Sequence, residues 1–377
     1  MKISVITPRY ALAGVPLAQF RLAKALSLLG HDVILIVGHV NHGYKLPNVN
    51  GIDIQVLEKK RVISMINPLV KHLKNYNPDV VFSAEDHLNA IILLSSIIAR
   101  SSAKISCSSR VTPFDTYSNK IFTKRWNLKQ LMKLIMHRAS VLTCVSKDMV
   151  GQYKVVFKNP PHICIYNIVV DSQARLKMMD LVDDEWFDDK DVPMVIAAGR
   201  LAPWKGFSDL IYAMRELNRS TKAKLTILGG GPLKEDLELL IKELNLENVV
   251  KLMGYVDNTL KYFKKADVFV LSSHVEGLPN VLVEAMMCGC TPVATDCPTG
   301  PREVLKDGLY GYLTPVGDAV AMANSIKTAL QNPIPKHILE DAVDPFSERN
   351  VLQSHCQSLG ISNTSFFPKN LSNEDRP

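Results

Sequence analysis

Short apolar runs alternate with amphipathic segments along the first half of the chain. The run KISVIT is followed by a loop, by a segment with Leu22, Leu26 and Leu29 at helical spacing, and then by the run DVILIVG. This order predicts a strand–helix–strand unit with a right-handed crossover. Further apolar runs begin at residues 52, 79, 103, 140 and 162, with helix-length segments between them. Continuous apolar strands alternating with helices indicate a parallel sheet covered on both faces.

The second half repeats this alternation. Its apolar runs are MVIAAG, LTILGGG, VVKLMG, ADVFVLSS and TPVAT. An acidic stretch at 180–193 precedes them and is typical of a solvated linker. We therefore predict two doubly wound, Rossmann-like α/β domains at 1–177 and 190–345, with residues 346–365 packing back on the first. Such folds bind ligands beyond the carboxyl ends of their strands, so a ligand-binding interdomain cleft is expected.

The composition narrows the class of protein. The 377 residues are 47% apolar and 21% charged, which is ordinary for a folded globular protein. No apolar run reaches the roughly 20 residues of a bilayer-spanning helix, and the start turns polar too early for a signal peptide. The seven cysteines include no C-x-x-C pair and fit neither a disulfide framework nor a zinc site. These features favour the reducing cytoplasm.

Charge is distributed unevenly between the two halves. Residues 1–177 carry 24 Lys and Arg against 9 Asp and Glu, whereas the remaining 200 carry 20 against 28. The segment 120–138 combines basic side chains with an apolar stripe at helical spacing: Lys120, Lys124, Arg125, Lys129, Lys133 and Arg138 flank Ile121, Leu128, Leu131, Met132 and Ile135. This suits a helix lying on anionic lipid headgroups or, alternatively, a surface helix with a solvated basic face. No nucleic-acid recognition motif is present, so nucleic acid is not an expected partner.

Two glycine-containing loops follow strands of the second half. The loop GRLAPWKG at 199–206 contains Arg200 and Lys205, two cations that could grip a diphosphate. The turn GGGP at 229–232 would let backbone approach a ligand, although a tight turn needs the same glycines. Neither a Walker loop nor G-x-G-x-x-G is present, which disfavours P-loop and nicotinamide-dependent chemistry.

The strongest constellation is SSHVEGLPNVLVEAMMCG, in which Glu276 and Glu284 are eight positions apart. The pattern places Glu276 on a loop and Glu284 in the first turns of the following helix. Carboxylates accept hydrogen bonds from vicinal sugar hydroxyls, and the free N–H groups of a helix start suit phosphate oxygens. One loop could therefore hold a sugar and a diphosphate. The alternative is a solvated Glu276 beside a Glu284 that merely favours the helix dipole.

In order and spacing, GRLAPWKG, GGGP, MGYV, ADVFVLSS and the E-x7-E loop resemble retaining GT-B glycosyltransferases of family 4, the group 1 transferases. The resemblance is close over 195–331. In the first half, AGVPLAQFRLAKALSLLGHDV is similar to the family's glycine loop and first helix, with Ala13-Gly14 in place of the usual double glycine. YNIVVD is similar to the family's N-G-V-D turn, and DCPTGPREVL to members that build bacterial surface polysaccharides from UDP-sugars.

The resemblance implies a role for each motif. Arg200 and Lys205 would neutralise the donor diphosphate. Glu284 would hold the ribose hydroxyls and Glu276 the transferred sugar. The remaining donor contacts would come from Gly14, Gly199, Gly231, Tyr255, Val256, Gly277, Leu278, Val281 and Leu282. Fixed cations aimed at the departing phosphate assist its loss, and retention could proceed by front-face attack without a protein nucleophile.

Cofactor and acceptor expectations rest on fewer residues. No metal is expected, because the two loop cations supply positive charge and the D-x-D at Asp189–Asp191 lies in the acidic stretch. Asp86 and His87 follow a strand of the first domain and should face the cleft, where either could activate an acceptor hydroxyl. His87 could instead contact the donor sugar. Arg110 follows another strand and could meet an acceptor phosphate.

Taken together, these motifs predict a retaining hexosyltransferase. It would move a hexose or N-acetylhexosamine from a nucleotide sugar, with UDP favoured, to a membrane-associated glycan at the cytoplasmic face of the membrane. Two alternatives stay open: a sugar-nucleotide epimerase or glycan phosphorylase of the same fold, and a non-catalytic carbohydrate-binding subunit. The intact cations and glutamates favour the transferase over both.

Overall fold

The computed structural model describes residues 1–11, 14–40, 46, 51–157, 162–189 and 191–367. The chain divides into two compact units: unit 1 comprises Met1–Ile168 and the residues from Glu348 on, and unit 2 comprises Val169–Ser347. The division falls after Ile168 rather than at 177, because the N–H groups of Val169 and Val170 donate to the Phe346 carbonyl oxygen at 3.0 and 3.2 Å. Ala13, in the loop similar to the family's glycine loop, lies outside the described residues.

Unit 1 is built on a seven-stranded sheet in the order β3-β2-β1-β4-β5-β6-β7. Its strands are β1 Lys2–Thr7, β2 Asp32–Val37, β3 Ile52–Val56, β4 Val80–Ala84, β5 Lys104–Ser109, β6 Val141–Cys144 and β7 His162–Cys164. Its helices are α1 Gly14–Leu28, α2 Ile66–Asn75, α3 Asp86–Ala99, α4 Pro113–Thr116, α5 Lys124–Ile135 and α6 Lys147–Val156. Each strand pairs in parallel with its neighbours, as continuous apolar runs predict.

The end of the described chain completes unit 1. Helices α15 Glu348–Ser358 and α16 Asn363–Phe366 place Val351, Leu352 and Phe366 in the same apolar cluster as the first strands. Lys104 Nζ donates to the Leu359 carbonyl oxygen at 2.6 Å. The chain thus returns to unit 1 from Glu348 onward, close to the range 346–365 that the sequence predicts.

Unit 2 repeats the topology with a six-stranded parallel sheet in the order β10-β9-β8-β11-β12-β13. Its strands are β8 Met194–Ala198, β9 Lys224–Leu228, β10 Val250–Gly254, β11 Val268–Leu271, β12 Thr291–Thr295 and β13 Tyr312–Thr314. Its helices are α7 Ser172–Lys177, α8 Phe207–Leu217, α9 Lys234–Glu243, α10 Leu260–Phe263, α11 Asn280–Met287, α12 Pro301–Val304, α13 Ala319–Gln331 and α14 Lys336–Val343. Apolar side chains of β8, β9 and β11 pack with α8 and α13 in one core.

The acidic stretch at 180–193 is part of unit 2 and not a solvated linker. A one-turn 3₁₀ helix at Glu185–Phe187 places Trp186 beside two ammonium groups, with Lys224 Nζ 5.2 Å and Lys251 Nζ 5.7 Å from the ring centroid. Lys251 Nζ also lies 2.8 Å from Asp184 Oδ2. Cation–π contacts and ion pairs therefore hold this stretch against the strands. Among the described residues, no helix is both long enough and apolar enough to cross a membrane.

Candidate active site

Loops that follow four adjacent strands of unit 2 form one cluster. In the order β9-β8-β11-β12 these strands are neighbours and parallel, so their carboxyl ends share one edge of the sheet. The loops are 199–206 after β8, 229–233 after β9, 272–279 after β11 and 296–300 after β12. We call them the carboxyl-edge cluster.

The loop after β8 ends at a glycine that the packing requires. Pro203–Lys205 forms a single 3₁₀ turn, and Gly206 follows it at φ 62°. A Cβ at Gly206 would lie 2.1 Å from the carbonyl oxygen of Ser272. The Ser272 hydroxyl donates to the Lys205 carbonyl oxygen at 2.8 Å. The loop after β8 therefore lies directly against the loop after β11.

An ion pair joins these two loops. Lys205 Nζ lies 2.5 Å from Glu276 Oε1, and the Ser273 hydroxyl donates to the same oxygen at 2.6 Å. The Lys205 and Glu276 side chains are only 18% and 11% exposed, so solvent screens the pair less than it screens a surface pair. The ammonium keeps further N–H donors for another anion. A cation and a carboxylate are thus fixed side by side.

The loop after β12 holds the backbone around Glu276. The Thr299 hydroxyl donates to the Glu276 carbonyl oxygen. Gly300, at φ 92°, approaches so closely that a Cβ there would lie 2.3 Å from the Gly277 carbonyl oxygen. Three loops therefore determine where the Glu276 carboxylate sits.

Helix α11 begins directly after the loop that carries Glu276. Glu284 lies one turn into this helix. The Leu282 N–H donates to the Pro279 carbonyl oxygen at 2.9 Å, and the Leu282 side chain is fully buried. Four residues of this loop and helix are partly exposed: Gly277, Leu278, Val281 and Glu284. The Leu282 N–H therefore closes the first turn of the helix.

The glycine turn after β9 packs against the loop after β8. A Cβ at Gly229 would lie 1.9 Å from the Gly199 carbonyl oxygen, and one at Gly231 would lie 2.4 Å from the Leu201 carbonyl oxygen. At Gly230, between them, a Cβ would meet nothing within 4 Å. Two of the three glycines thus serve close contact between the loops, a role that neither a ligand-binding turn nor a tight turn predicts.

Three further donor candidates lie on this edge of the sheet. Arg200 is exposed in the loop after β8. Tyr255 and Val256 follow β10, whose last residue, Gly254, accepts a hydrogen bond from the Gly229 N–H at 2.7 Å. The Tyr255 side chain is exposed and that of Val256 is half-buried. All the donor candidates of unit 2 therefore belong to loops or helix starts at the carboxyl ends of its strands.

The cluster also contains residues to which the sequence motifs assign no role. His274 Nε2 lies 2.6 Å from Asp209 Oδ2 on α8, and the His274 N–H donates to the Trp204 carbonyl oxygen at 2.8 Å. The polar run SSH directly before the E-x7-E loop is the signal that could have found His274. Nothing in the sequence places Asp209 or Thr299 beside this loop, because both contacts depend on the tertiary fold.

The remaining candidates lie in unit 1. Gly14 is exposed at the start of α1 with φ 58°. His87 is exposed near the start of α3. Arg110 follows β5, and its Nε is buried without a hydrogen-bond partner among the described residues. Burial lowers the pKa of Arg110 to about 10, and the nearby Glu85 carboxylate opposes this shift.

Asp86 is a buried structural carboxylate, 5% exposed. It accepts hydrogen bonds from the hydroxyls of Ser109, Tyr117 and Tyr153 at 2.9, 2.8 and 2.9 Å. Burial raises the pKa of Asp86, and these hydroxyls oppose the rise by stabilising the charge. The expectation that Asp86 faces a ligand and activates a hydroxyl is wrong, because its oxygens are committed to the interior of unit 1.

The basic segment at 120–138 forms a shorter helix than its pattern predicts. Helix α5 covers Lys124–Ile135, and Met132 and Ile135 are buried, so this side of the apolar stripe packs on the protein. The exposed apolar side chains are Ile121 and Phe122, 64% and 86% exposed, in the loop before the helix, and Leu134, 72% exposed, on the helix. The exposed basic side chains are Lys120, Lys124, Arg125 and Lys133. The stripe is therefore mainly a packing face, and the exposed apolar surface lies in the loop before the helix and at Leu134.

The D-x-D carboxylates make contacts within unit 2. Asp189 Oδ2 lies 3.3 Å from Lys224 Nζ, and the Asp191 N–H donates to Asp189 Oδ1 at 3.3 Å. Within the part of the chain that the structure describes, no group of three His, Cys, Asp or Glu side chains is arranged to hold a metal ion.

The protein consists of two Rossmann-like units, and the second carries cations, glycine turns and paired glutamates at the carboxyl edge of its sheet. This combination is that of the GT-B glycosyltransferases. The family model described as Glycosyl transferases group 1 matches residues 180–343. A Campylobacter jejuni enzyme, N-acetylgalactosamine-N,N'-diacetylbacillosaminyl-diphospho-undecaprenol 4-alpha-N-acetylgalactosaminyltransferase, is 30% identical over 81% of this chain and 83% of its own length. The chain therefore belongs to the glycosyl transferases group 1.

Two further comparisons extend over most of the chain. A second C. jejuni enzyme, an alpha-1,4-N-acetyl-D-galactosaminyltransferase named for a diphospho-undecaprenol glycan, is 26% identical over 88% of this chain and 89% of its own. The crystal structure of Anabaena HepE in complex with UDP superposes with a TM-score of 0.76 at 19% identity, covering 96% of this chain and 100% of that one. The latter similarity establishes the fold.

Proposed function

We propose that this glycosyltransferase moves a hexose or N-acetylhexosamine from a UDP-sugar to a lipid-linked glycan in surface polysaccharide synthesis, with retention at the anomeric carbon. The observation that carries the proposal is the 2.5 Å contact between Lys205 Nζ and Glu276 Oε1. It places a cation for phosphate and a carboxylate for sugar hydroxyls next to each other at the strand ends where such folds bind ligands.

The donor is held by unit 2 in this proposal. Lys205 uses one ammonium proton on Glu276 and keeps others for the diphosphate, which the exposed Arg200 also approaches. Glu276 binds hydroxyls of the transferred sugar, and Glu284 binds those of the ribose. The main chain at Tyr255 and the next residue meets the base. UDP in the HepE crystal structure supports this nucleotide.

The loop glycines and one residue of unit 1 complete the donor contacts. The backbone at Gly277, Leu278, Val281 and Leu282 meets the sugar and the diphosphate, and the first three of these residues are partly exposed. Gly14, exposed at a positive φ, offers backbone to the diphosphate.

The chemical task is to stabilise the leaving diphosphate as the bond to the anomeric carbon breaks. Fixed cations beside the departing oxygen do this without reorganisation, and removing one such group typically costs about 10²–10³ in rate. Retention then requires that the acceptor attack from the face the diphosphate leaves, with the leaving phosphate taking the acceptor's proton. Neither glutamate acts as a nucleophile in this scheme. A metal is not required, because the two loop cations carry the positive charge.

The acceptor is a glycan on a polyprenyl diphosphate. The two C. jejuni relatives, whose names specify diphospho-undecaprenol glycans, support this class. Arg110, whose Nε has no hydrogen-bond partner in the part of the chain that the structure describes, suits an acceptor phosphate, and the exposed His87 suits a sugar hydroxyl. Both residues belong to loops or helix starts at the carboxyl ends of adjacent strands of unit 1.

Such an acceptor requires work at a membrane surface, which we assign to the cytoplasmic leaflet. The exposed Lys120, Lys124 and Lys133 attract anionic headgroups, each contributing about 1 kcal/mol near the surface. Ile121 and Phe122, which precede α5, provide exposed apolar area at the same place.

A transfer assay with a donor panel tests the function. Purified protein is incubated with UDP- and GDP-sugars and N-acetylgalactosaminyl diphospho-undecaprenol in detergent, with and without EDTA, and products are read by mass spectrometry. We expect transfer from a UDP-sugar that EDTA leaves unchanged, with the anomeric configuration retained by NMR. Conversion of UDP-N-acetylglucosamine without acceptor would indicate an epimerase, and dependence on orthophosphate a phosphorylase. UDP binding by calorimetry without turnover on any donor would indicate a binding subunit.

A further inference from the structure

The turn between β4 and α3 holds Glu85 in an unusual backbone conformation. Its φ is 77° and its ψ is 128°, in a region that residues with a Cβ rarely adopt. Side chains persist there only where surrounding structure over-determines the backbone, and such sites concentrate where ligands are bound. The feature lies outside the carboxyl-edge cluster of unit 2.

The surroundings of Glu85 fix the turn on both sides. The Glu85 N–H donates to the Ser108 carbonyl oxygen at 3.1 Å, and its carbonyl oxygen accepts from the Asn89 N–H at 2.9 Å. The Asn89 amide donates to the Ser108 carbonyl oxygen at 3.0 Å. The next residue, Asp86, is anchored by three hydroxyls. These buried hydrogen bonds therefore hold the backbone of Glu85 in its strained conformation.

The strained turn presents a carboxylate with spare acceptor capacity. Glu85 Oε1 lies 3.0 Å from Arg9 NH2, and the Glu85 side chain is 24% exposed. A second, longer contact joins Arg9 NH1 to Glu85 Oε2 at 3.5 Å. A carboxylate has about four lone-pair sites, so these two guanidinium contacts leave acceptor sites over. Arg9, which follows β1, thus orients the group and leaves oxygen lone pairs open toward solvent.

The charges around Glu85 fit a polar ligand. Burial raises the pKa of Glu85, while the charges of Arg9, His87 and Arg110 oppose the rise and favour the carboxylate. These groups follow β1, β4 and β5, which are adjacent in the sheet, so they share its carboxyl edge. One carboxylate among several cationic or polar donors can bind hydroxyls of a sugar next to an anionic group.

We propose that Glu85 is an acceptor-binding residue, whose carboxylate accepts hydrogen bonds from hydroxyls of the acceptor glycan in the strained turn after β4. This inference rests on the proposed function and deepens it, since neither the E-x7-E motif nor the glycine loops assign any role to Glu85. A purely structural Glu85 would instead use its carboxylate only to pair with Arg9.

The test is a pair of substitutions at Glu85 assayed for transfer from a UDP-sugar to N-acetylgalactosaminyl diphospho-undecaprenol. Glu85→Gln keeps the size and backbone strain but exchanges one acceptor oxygen for a donor. Glu85→Gly removes the side chain and suits the positive φ. We expect both to raise the KM for the acceptor at least tenfold, with the KM for the UDP-sugar within twofold of wild type. Glu85→Gly should melt no lower than wild type.

Arg100→Gly provides the matched control. Arg100 is exposed at the opposite end of α3, also at a positive φ of 52°. It should change neither KM. An acceptor KM within twofold of wild type in Glu85→Gln would overturn the inference while leaving the proposed function intact. Absence of transfer by the wild type would overturn the proposed function itself, and this assignment with it.

Discussion

The two units share a strand order, but the loops at the carboxyl edges of their sheets are shaped differently. In unit 2, backbone meets backbone: Gly206, Gly229, Gly231 and Gly300 each leave no room for a Cβ. In unit 1, the turn after β4 reads SAEDHLN, contains no glycine, and is shaped by side-chain hydroxyls around Asp86. Unit 1 also has a backbone contact of the unit 2 kind at Gly38, where a Cβ would lie 2.3 Å from the Pro8 carbonyl oxygen. The same topology therefore supports an edge dominated by close backbone contacts in unit 2, and in unit 1 an edge that combines such a contact with a turn shaped by side chains.

This difference fits the two kinds of ligand that a transferase must bind. A diphosphate presents the same oxygens in every nucleotide sugar, and backbone turns with fixed cations suit such a constant group. An acceptor glycan differs between enzymes, and side chains can be exchanged without rebuilding a loop. The resemblance to the family is accordingly close in unit 2 and loose in unit 1.

The largest effect should come from the ion pair in unit 2. Lys205→Met removes the partly buried cation and should lower the transfer rate about 10²–10³-fold, as loss of one preorganised charge-stabilising group does. Lys224→Met is the matched control, because it breaks the Lys224–Asp189 pair at the opposite end of the β9 strand. Steady-state kinetics check both variants, and an equal loss in the two would assign the effect to folding instead of leaving-group stabilisation.

The second test asks whether the unit 2 edge really depends on backbone contact. Gly229→Ala places a Cβ 1.9 Å from the Gly199 carbonyl oxygen and should lower the free energy of unfolding by about 3 kcal/mol, the upper range for overpacking. Gly230→Ala, with open space around its Cβ, should change it by less than about 0.5 kcal/mol. Urea unfolding measures both. Equal stability in the two variants would show that the loops move apart easily.

Acid should destabilise unit 1 through a buried histidine. His355 is buried in unit 1 with its ring 5.1 Å from that of Phe82, and burial together with the Arg110 charge lowers its pKa to about 3. Below its ordinary pKa of 6.5, the unfolded chain binds a proton that the native state does not. The free energy of unfolding should therefore fall by about 1.4 kcal/mol for each pH unit below 6.5, until the native pKa is reached.

Substitution isolates that contribution from other titrating groups. His355→Leu should flatten the pH dependence of urea unfolding between pH 6 and 4, whereas His337→Leu, at an exposed position of unit 2, should leave it unchanged. If both variants keep the wild-type slope, the acid sensitivity does not come from His355, and the predicted difference between the two units is wrong.

The smallest expected effect concerns the basic surface of unit 1. Lys124→Ser should weaken binding to vesicles containing phosphatidylglycerol by about 1 kcal/mol, roughly fivefold, at low salt. Lys71→Ser, exposed on α2, removes the same charge from another helix. Sedimentation with vesicles measures both. Equal weakening would mean that overall charge, and not the region around α5, governs membrane contact.

Much of the fold could be predicted because the buried strands are continuous apolar runs. KISVIT forms β1 and MVIAAG forms β8, each flanked by a loop and a helix as expected. Strand β13, Tyr312–Thr314, was missed because it is short and only Thr314 is buried. The sequence also cannot show that Trp186 packs between two lysines, since the acidic residues around it resemble a solvated linker.

The candidate site, like the fold, could be predicted only in part from the sequence. The sequence predicts that Lys205 and Glu276 lie near each other, because both follow parallel strands. The structure places the two side chains in contact. Asp86 was misjudged because its three partners come from three separate segments, which only the tertiary fold unites. Glu85 carries no sequence signal at all, since a positive φ is visible only in the backbone.

The final described helices have a consequence for how the protein is made. Phe366 lies fully buried in unit 1, and its carbonyl oxygen is 2.9 Å from the His31 ring, although synthesis separates the two residues by almost the whole chain. Unit 2 is contiguous and can fold as it leaves the ribosome, whereas unit 1 requires a segment that is translated after unit 2. A nascent chain that stalls before α15 would leave apolar side chains of the first strands uncovered. Residues 1–168 should therefore become resistant to proteases only after unit 2 has been made.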